Sequence, residues 1–267
     1  MIYKIPKDIN ESLKLKKQNP NYHLLCGGSD LVLKLKNSDI EGIIDITHIK
    51  EFSYIKKEKD SIIIGSLTTI NEILNNPLIA EHFELLVKVT KNFASHQIRN
   101  IASIGGNIAN DSPVADLIAP LLALRAKVTL ISQESKRTIP LEELFVAYKT
   151  LDMNPDELIK SFTIPIVAHQ FYYKKVGVRA NLNIAKLSLV VVKNDDGYFI
   201  SGASLNPSIV RFKNLEKLFN NATLSDEKIH EALEDDISPS GSFRSTKEYR
   251  VKVLINMIHD AQKGFKL

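Results

Sequence analysis

The sequence predicts an α+β protein made of two small α/β units and a third unit that adds a short antiparallel sheet and helices. Three features of the 267-residue chain predict it. β-branched runs alternate with helix-type stretches as far as Pro165. Two apolar β-type runs, Leu187 to Val192 and Tyr198 to Ser204, flank Asn194-Asp195-Asp196-Gly197, and the Asp-Gly pair is a hairpin signal. Helix-type patterning fills the rest of the chain. The units are taken as residues 1–57, 58–163 and 164–267.

In the first unit Asn10 to Lys17 has helical character, and His23 to Cys26 reads as a short strand running into Gly27-Gly28-Ser29-Asp30. Leu31 to Lys36 fits a helix start or a buried strand, and Ile43 to Ile46 is a β-branched strand. The charged run Lys56 to Asp60 is expected to be a turn and marks the first seam. Ile62 to Gly65 opens the second unit as a strand. Thr68 or Thr69 caps a helix over Ile70 to Asn75, which Asn76-Pro77 ends. A further helix covers His82 to Lys91. Asp111 or Ser112 is expected to cap a helix with Pro113 in its first turn. Pro120 then denies the Asp116 carbonyl its helical partner, which distorts that turn. Lys127 to Ser132 alternates as a strand, and Leu141 to Val146 is a short helix or turn. In the third unit helices follow the hairpin over Asn214 to Phe219, Asp226 to Leu233 and about Thr246 to Gln262. Ser245-Thr246-Lys247-Glu248 fits a capping box, and Gly264 sits where a terminator belongs.

Composition narrows the function. Hydrophobic residues are 44% of the chain and charged residues 25%, a balance that excludes general disorder. The 35 basic and 31 acidic residues leave a net charge of +4 that forms no stripe, so nucleic-acid binding is not indicated. With no Trp and 7% aromatics, a base-stacking platform is not expected either. Met1 to Leu13 lacks the apolar centre of a signal peptide, and Leu117 to Leu124 and Leu187 to Val192 are too short to span a bilayer. A cytoplasmic protein without membrane insertion is the expectation. The single cysteine, Cys26, excludes an internal disulfide and any iron–sulfur or zinc site built from several thiolates of this chain.

No HExxH, Walker-A loop, G-x-S-x-G elbow or G-x-G-x-x-G occurs, so no metal ligand and no catalytic residue is assigned. Two glycine pairs remain. The first lies in Leu24-Leu25-Cys26-Gly27-Gly28-Ser29-Asp30-Leu31, where a strand delivers a tight loop whose consecutive N–H groups form an anion nest, or a plain turn. The second is Ser103-Ile104-Gly105-Gly106-Asn107, followed by an acid, Asp116, at the start of the apolar run Leu117 to Leu124. Two backbone-exposing loops and one buried-looking acid suggest a pyrophosphate in one place and a polyol in another. Cys26 reads as a small buried residue rather than a nucleophile.

The segment from Phe93 through Gln97-Ile98-Arg99-Asn100 and Ser103-Ile104-Gly105-Gly106-Asn107 to Asp116 resembles the FAD-binding subunit of the xanthine dehydrogenase and carbon monoxide dehydrogenase family of molybdenum hydroxylases. Gly27-Gly28-Ser29-Asp30 is similar to that family's first flavin loop, with Cys26 for the usual alanine. Ser103 replaces a commoner threonine. Tyr173 to Arg179 is similar to its Y-x-K-x-x-x-R segment, and Phe243-Arg244-Ser245-Thr246-Lys247-Glu248-Tyr249-Arg250 to its C-terminal signature. The matches run in order along nearly the whole chain.

The resemblance implies a fold of the p-cresol methylhydroxylase (vanillyl-alcohol-oxidase) type: two α/β subdomains clasping FAD, plus a C-terminal domain. Leu24 to Leu31 would wrap the diphosphate, and Ser103, Ile104, Gly105, Gly106 and Asn107 would form the second cofactor loop. Asp116 would bind flavin hydroxyls, Phe93 and Ile159 would supply apolar contacts, and Lys175 would sit near the ring. Phe93 and Ile159 are equally explained as core, a solvated lysine is the lesser reading of Lys175, and Arg99 and His96 read as groups that order their turn. Tyr173 or Tyr172 is a candidate to stack on the ring. The implied role is electron transfer from 2Fe-2S clusters on an iron–sulfur subunit, fed by a molybdopterin-binding subunit, to NAD+, oxygen or another acceptor. The cysteine count disfavours the 4-hydroxybenzoyl-CoA reductase branch, whose flavin subunit carries its own cluster. A stand-alone FAD reductase on the same fold and a cofactor-free scaffold are the alternatives.

Overall fold

A computed structural model describes residues 1–35, 39–179, 184–222, 224–243 and 245–267. Strand β1 (Ile2–Lys4) leads into helix α1 (Ile9–Gln18), which starts at Asp8 because that side chain accepts the Glu11 amide. Strand β2 (His23–Leu25), the short helix α2 (Leu31–Lys34) and strand β3 (Gly42–Asp45) complete a parallel sheet in the order β1-β3-β2. Its apolar side buries Leu13, Ile44, Ile46, Ile49 and Phe52 against Leu67, Ile131 and Leu158, so the first unit shares a core with the second.

The second unit is a five-stranded antiparallel sheet. Strands β4 (Ile55–Glu58), β5 (Ser61–Gly65), β6 (Lys127–Ile131) and β7 (Lys136–Pro140) join a later strand, with the small hairpin β8 (Phe145–Ala147) and β9 (Thr150–Leu151) intervening. That strand is β10 (Leu158–Pro165), and the order is β4-β5-β10-β6-β7. Between β5 and β6 run α3 (Ile70–Asn75), α4 (Pro77–His82), α5 (Glu84–Lys91), α6 (His96–Arg99), α7 (Ile104–Ala109) and α8 (Ile118–Ala123). Ile62, Ile64 and Phe162 of the sheet pack with Phe83, Leu86, Ile104 and Leu121 of the helical segment in the main core.

The third unit is the antiparallel sheet β11 (Gln170–Val176), β12 (Leu187–Asn194) and β13 (Gly197–Ser201), with helices α9 (Lys213–Asn220), α10 (Asp226–Asp236) and α11 (Lys247–Phe265). Successive side chains of a strand point to opposite faces. Leu187, Leu189 and Val191 accordingly pack with Phe212, Leu254 and Ile258 in a C-terminal core, while Val190 and Val192 enter the main core. This two-sided burial explains why residues 187–192 read as one continuous apolar run. The expected hairpin is present, with Asn194 opposite Gly197.

Several local expectations are corrected. Lys56–Glu58 is strand, because it pairs antiparallel with β5, and the turn shrinks to Lys59-Asp60. Residues 82–91 split: α4 ends at His82, and α5 begins at Glu84. No helix starts at Asp111 or Ser112. Asp111 has a left-handed backbone (φ 41°), and its carboxylate is occupied by the Lys149 amide. α8 starts only at Ile118, so Asp116 precedes the helix and Pro120 lies in its first turn, where a missing N–H costs no helical bond. The cap of α11 is Thr246, which accepts from the Tyr249 amide, one residue later than the expected box. Gly264 is helical, and Lys266 takes the left-handed terminating position (φ 58°). Lys36 and Arg244 lie outside the described residues.

Candidate functional site

The two glycine bends meet. A Cβ on Gly27 would lie 1.7 Å from the Ile101 carbonyl oxygen, so only glycine lets the first bend seat on the segment entering the second. Gly28 follows in the left-handed region (φ +68°). Cys26 lies between the bends, and a Cβ on Gly106 would sit 3.7 Å from its own Cβ. Burial pushes the Cys26 thiol up to about 12, so little reactive thiolate forms there at neutral pH.

The bends differ in what their amides do. In the second, Ile104 N–H donates to Thr68 O (3.0 Å), Gly105 N–H to Ser66 O (2.8 Å), Gly106 N–H to Ser103 Oγ (3.2 Å) and Asn107 N–H to Ser103 O (3.0 Å). A Cβ on Gly105 would fall 2.6 Å from Ser66 O, so the close approach this glycine permits is to the protein itself. In the first bend, the N–H groups of Gly27, Gly28, Ser29 and Asp30 donate to no protein acceptor among the described residues. Successive unbonded N–H groups around a left-handed residue make an anion-binding concavity. Among the described residues Asn107 Oδ1 is buried without a hydrogen-bond partner.

A second polar centre is carried by β11, whose Tyr173 and Lys175 share the face turned to the main core. Lys175 Nζ lies 2.8 Å from the Asp116 carboxylate, with side-chain exposures of only 7% and 13%. It also donates to Asn92 O at 3.3 Å. Burial raises the Asp116 pKa, and the Lys175 charge and hydrogen bond oppose that rise. Tyr173 is buried beside this pair. Desolvation first, and the Asp116 charge second, hold its phenol above the ordinary range. Lys175 is therefore a paired, enclosed cation, not a solvated lysine.

The other expected positions divide. Leu24 and Leu25 are ladder residues of β2, opposite Ile44 and Asp45. Leu31 opens α2, and Asp30 is exposed and paired with Lys34. Phe93 and Ile159 are nearly buried and belong to the same main core, Ile159 just before a bulge in β10. Sequence reasoning missed Ser66 and Thr68, whose carbonyls hold the second bend, and Asn92, the second acceptor of Lys175. No local signal marks them, because they contribute main-chain oxygens. Two further grooves share Arg125, one where β5 begins and β10 ends and one lined also by Glu142 and Arg211, but those guanidinium groups are already paired with Asp196, Glu216 and Glu142.

An unbonded amide cradle beside an orphaned buried carbonyl oxygen, with an enclosed ammonium–carboxylate pair, fits a long ligand that carries phosphates and hydroxyls. A flavin dinucleotide is a ligand of that kind. Residues 1–167 match the family described as the FAD binding domain in molybdopterin dehydrogenase. The glyceraldehyde dehydrogenase medium chain of Sulfolobus acidocaldarius is 28% identical over 93% of this chain and 92% of its own. The putative xanthine dehydrogenase FAD-binding subunit of Escherichia coli is 28% identical over 92% and 89%. In three dimensions the chain is similar to carbon monoxide dehydrogenase from Hydrogenophaga pseudoflava, with a TM-score of 0.88, 25% identity, and coverage of 97% and 94%.

The chain belongs to the FAD-binding family of the molybdopterin dehydrogenases, an oxidoreductase flavoprotein subunit of the xanthine and carbon monoxide dehydrogenase type whose cofactor is FAD. That membership selects the subunit reading over the stand-alone reductase and the cofactor-free scaffold. Among the described residues no helix is long and apolar enough to cross a membrane.

Proposed function

We propose that this chain is the electron-exit subunit of a cytoplasmic molybdenum hydroxylase, receiving electrons from 2Fe-2S clusters on a partner subunit and passing them to NAD+, oxygen or another acceptor. The observation that carries it is the seating of the first bend on Ile101, which leaves the N–H groups of Gly27 to Asp30 unbonded beside the second bend. One cysteine cannot hold a cluster, so in this reading the clusters sit outside these 267 residues, on an iron–sulfur subunit, and the molybdopterin on a further one. Relatives named as medium chains support such an assembly.

Bound FAD supplies the capacity to accept electrons singly and release them as a pair. The protein contributes binding, orientation and charge. Main chain from Leu24 to Leu31, with Cys26, Gly27, Gly28, Ser29 and Asp30, would hold the diphosphate. Ser103, Ile104, Gly105, Gly106 and Asn107 would form the second wall, with Asn107 Oδ1 as its free acceptor. Asp116 would accept from hydroxyls, while Phe93 and Ile159 would exclude water. Lys175 would favour negative charge on any group placed next to it, since an enclosed ammonium is poorly screened. The division into subdomains 1–57 and 58–163 and a C-terminal domain 164–267 belongs to this reading.

The test is to co-express the chain with candidate iron–sulfur and molybdopterin subunits, isolate the complex, and mix it anaerobically with hydroxylatable substrates. The expected result is a yellow chain that co-purifies with an iron–sulfur subunit and is bleached only when that subunit is present. Bleaching of the isolated chain by a substrate of its own would overturn the proposal.

A further inference from the structure

The turn between α5 and α6 is held from two sides by cations. Lys175 donates to Asn92 O, and Arg99 Nη1 donates to Phe93 O at 2.8 Å and to Ala94 O at 3.3 Å. Ala94 has φ 35°, a left-handed backbone that a residue with a Cβ adopts only under compulsion. Among the described residues the hydrogen bonds of Arg99 go to main-chain oxygens and not to a carboxylate, and its Nε is buried with no acceptor. A part-buried guanidinium without a counter-ion, and with one nitrogen unsatisfied, is a poor stabilising device. The two carbonyls it does reach belong to the turn that carries Phe93 and follows the Lys175 acceptor.

We infer that Arg99 is a positioning residue of the flavin site: by bridging Phe93 O and Ala94 O it fixes the strained turn 92–95, and so sets both the Phe93 side chain and the Asn92 carbonyl that Lys175 uses. The inference rests on the FAD reading of the site. Arg99 acts through Phe93 and Asn92 and touches neither Lys175 nor Asp116. Glutamine at position 99 loses the charge and the reach. Lysine keeps an ammonium able to approach the same carbonyls, so R99K is the conservative rescue.

The experiment uses the full-length chain and compares wild type, R99Q, R99K, F93L and R99Q/F93L. Three readouts are taken: the FAD dissociation constant from fluorescence quenching, the visible circular dichroism of the bound flavin, and thermal midpoints with and without FAD. R99Q is expected to weaken FAD binding about tenfold and to change the flavin dichroism, with R99K in between. In the F93L background R99Q should change affinity clearly less than in the wild type, because one of its two routes, the one through Phe93, is already gone and the effects are not additive. Wild-type affinity and dichroism in R99Q, with only a lower melting point, would overturn the inference, as would a full additional loss in the double variant. If R99Q does not fold, R99K carries the test on the same criteria. A wild-type chain that takes up no FAD overturns the flavin reading itself, a result distinct from a flavin-bound R99Q that behaves as wild type.

Discussion

Asp116 and Lys175 come from segments 59 positions apart, and neither is stable in its place without the other. Two enclosed opposite charges gain little over an apolar pair of the same size, but one of them alone is costly. Asp116→Asn should therefore lose about 3–5 kcal/mol of unfolding free energy, since it strands the Lys175 ammonium. The double variant D116L/K175M should recover most of that loss. Urea unfolding at neutral pH measures both, and a double variant no more stable than D116N would show that the pair supplies stability in its own right. FAD binding should fail in both variants, which separates the role of the pair in folding from its role in the site. At this scale the sequence was readable in part. An acid leading into an apolar helix was conspicuous, and so was a lysine at motif spacing. Their pairing was not, because nothing local to either residue announces a partner on a distant strand.

Among the elements, the two glycine bends share a composition and differ in use. Gly105 approaches Ser66 O and Gly27 approaches Ile101 O, both main-chain atoms that have little room to move. Gly105→Ala and Gly27→Ala should each cost about 1–3 kcal/mol of stability, while Gly241→Ala, which meets nothing within 4 Å among the described residues, should be near neutral. FAD affinity should separate the first two. Gly27→Ala pushes away the bend whose amides are unbonded and should weaken binding by about tenfold or more, whereas Gly105→Ala disturbs amides already bonded to protein and should weaken it less. Equal losses in a flavin titration would contradict that division of labour. The elements that sequence reading located well are those with local punctuation: α3, whose Thr69 and Glu72 form a full capping box, and the hairpin around Asp195-Asp196. The start of α8 was misplaced because Asp-Ser-Pro looks like a helix start. The Asp111 side chain is instead held by an amide 38 residues further on. A long-range partner outweighed a local preference, and single-sequence patterning cannot register that.

Across the whole molecule, the family match ends at residue 167, but the core does not. Tyr173, Val190, Val192, Phe199, Ala203 and Ile209 complete the main core that begins with Ile62 and Ile64, and Lys175 reaches Asp116 from the same side. A fragment of residues 1–167 would thus expose the apolar faces that β11 to β13 cover, and it would hold Asp116 in a pocket built for an ion pair. We expect that fragment to melt well below the full chain, to bind a hydrophobic dye, and to take up FAD poorly. Supplying residues 168–267 as a separate chain should restore all three properties. Thermal melts, dye fluorescence and flavin titration of the fragment, alone and with its complement, would check this. A fragment that melted with the full chain and bound FAD as tightly would mean that the C-terminal sheet is an accessory. The burial of both faces of β12 argues the opposite: this strand is where the C-terminal core and the main core are joined, so loss of one should be felt in the other.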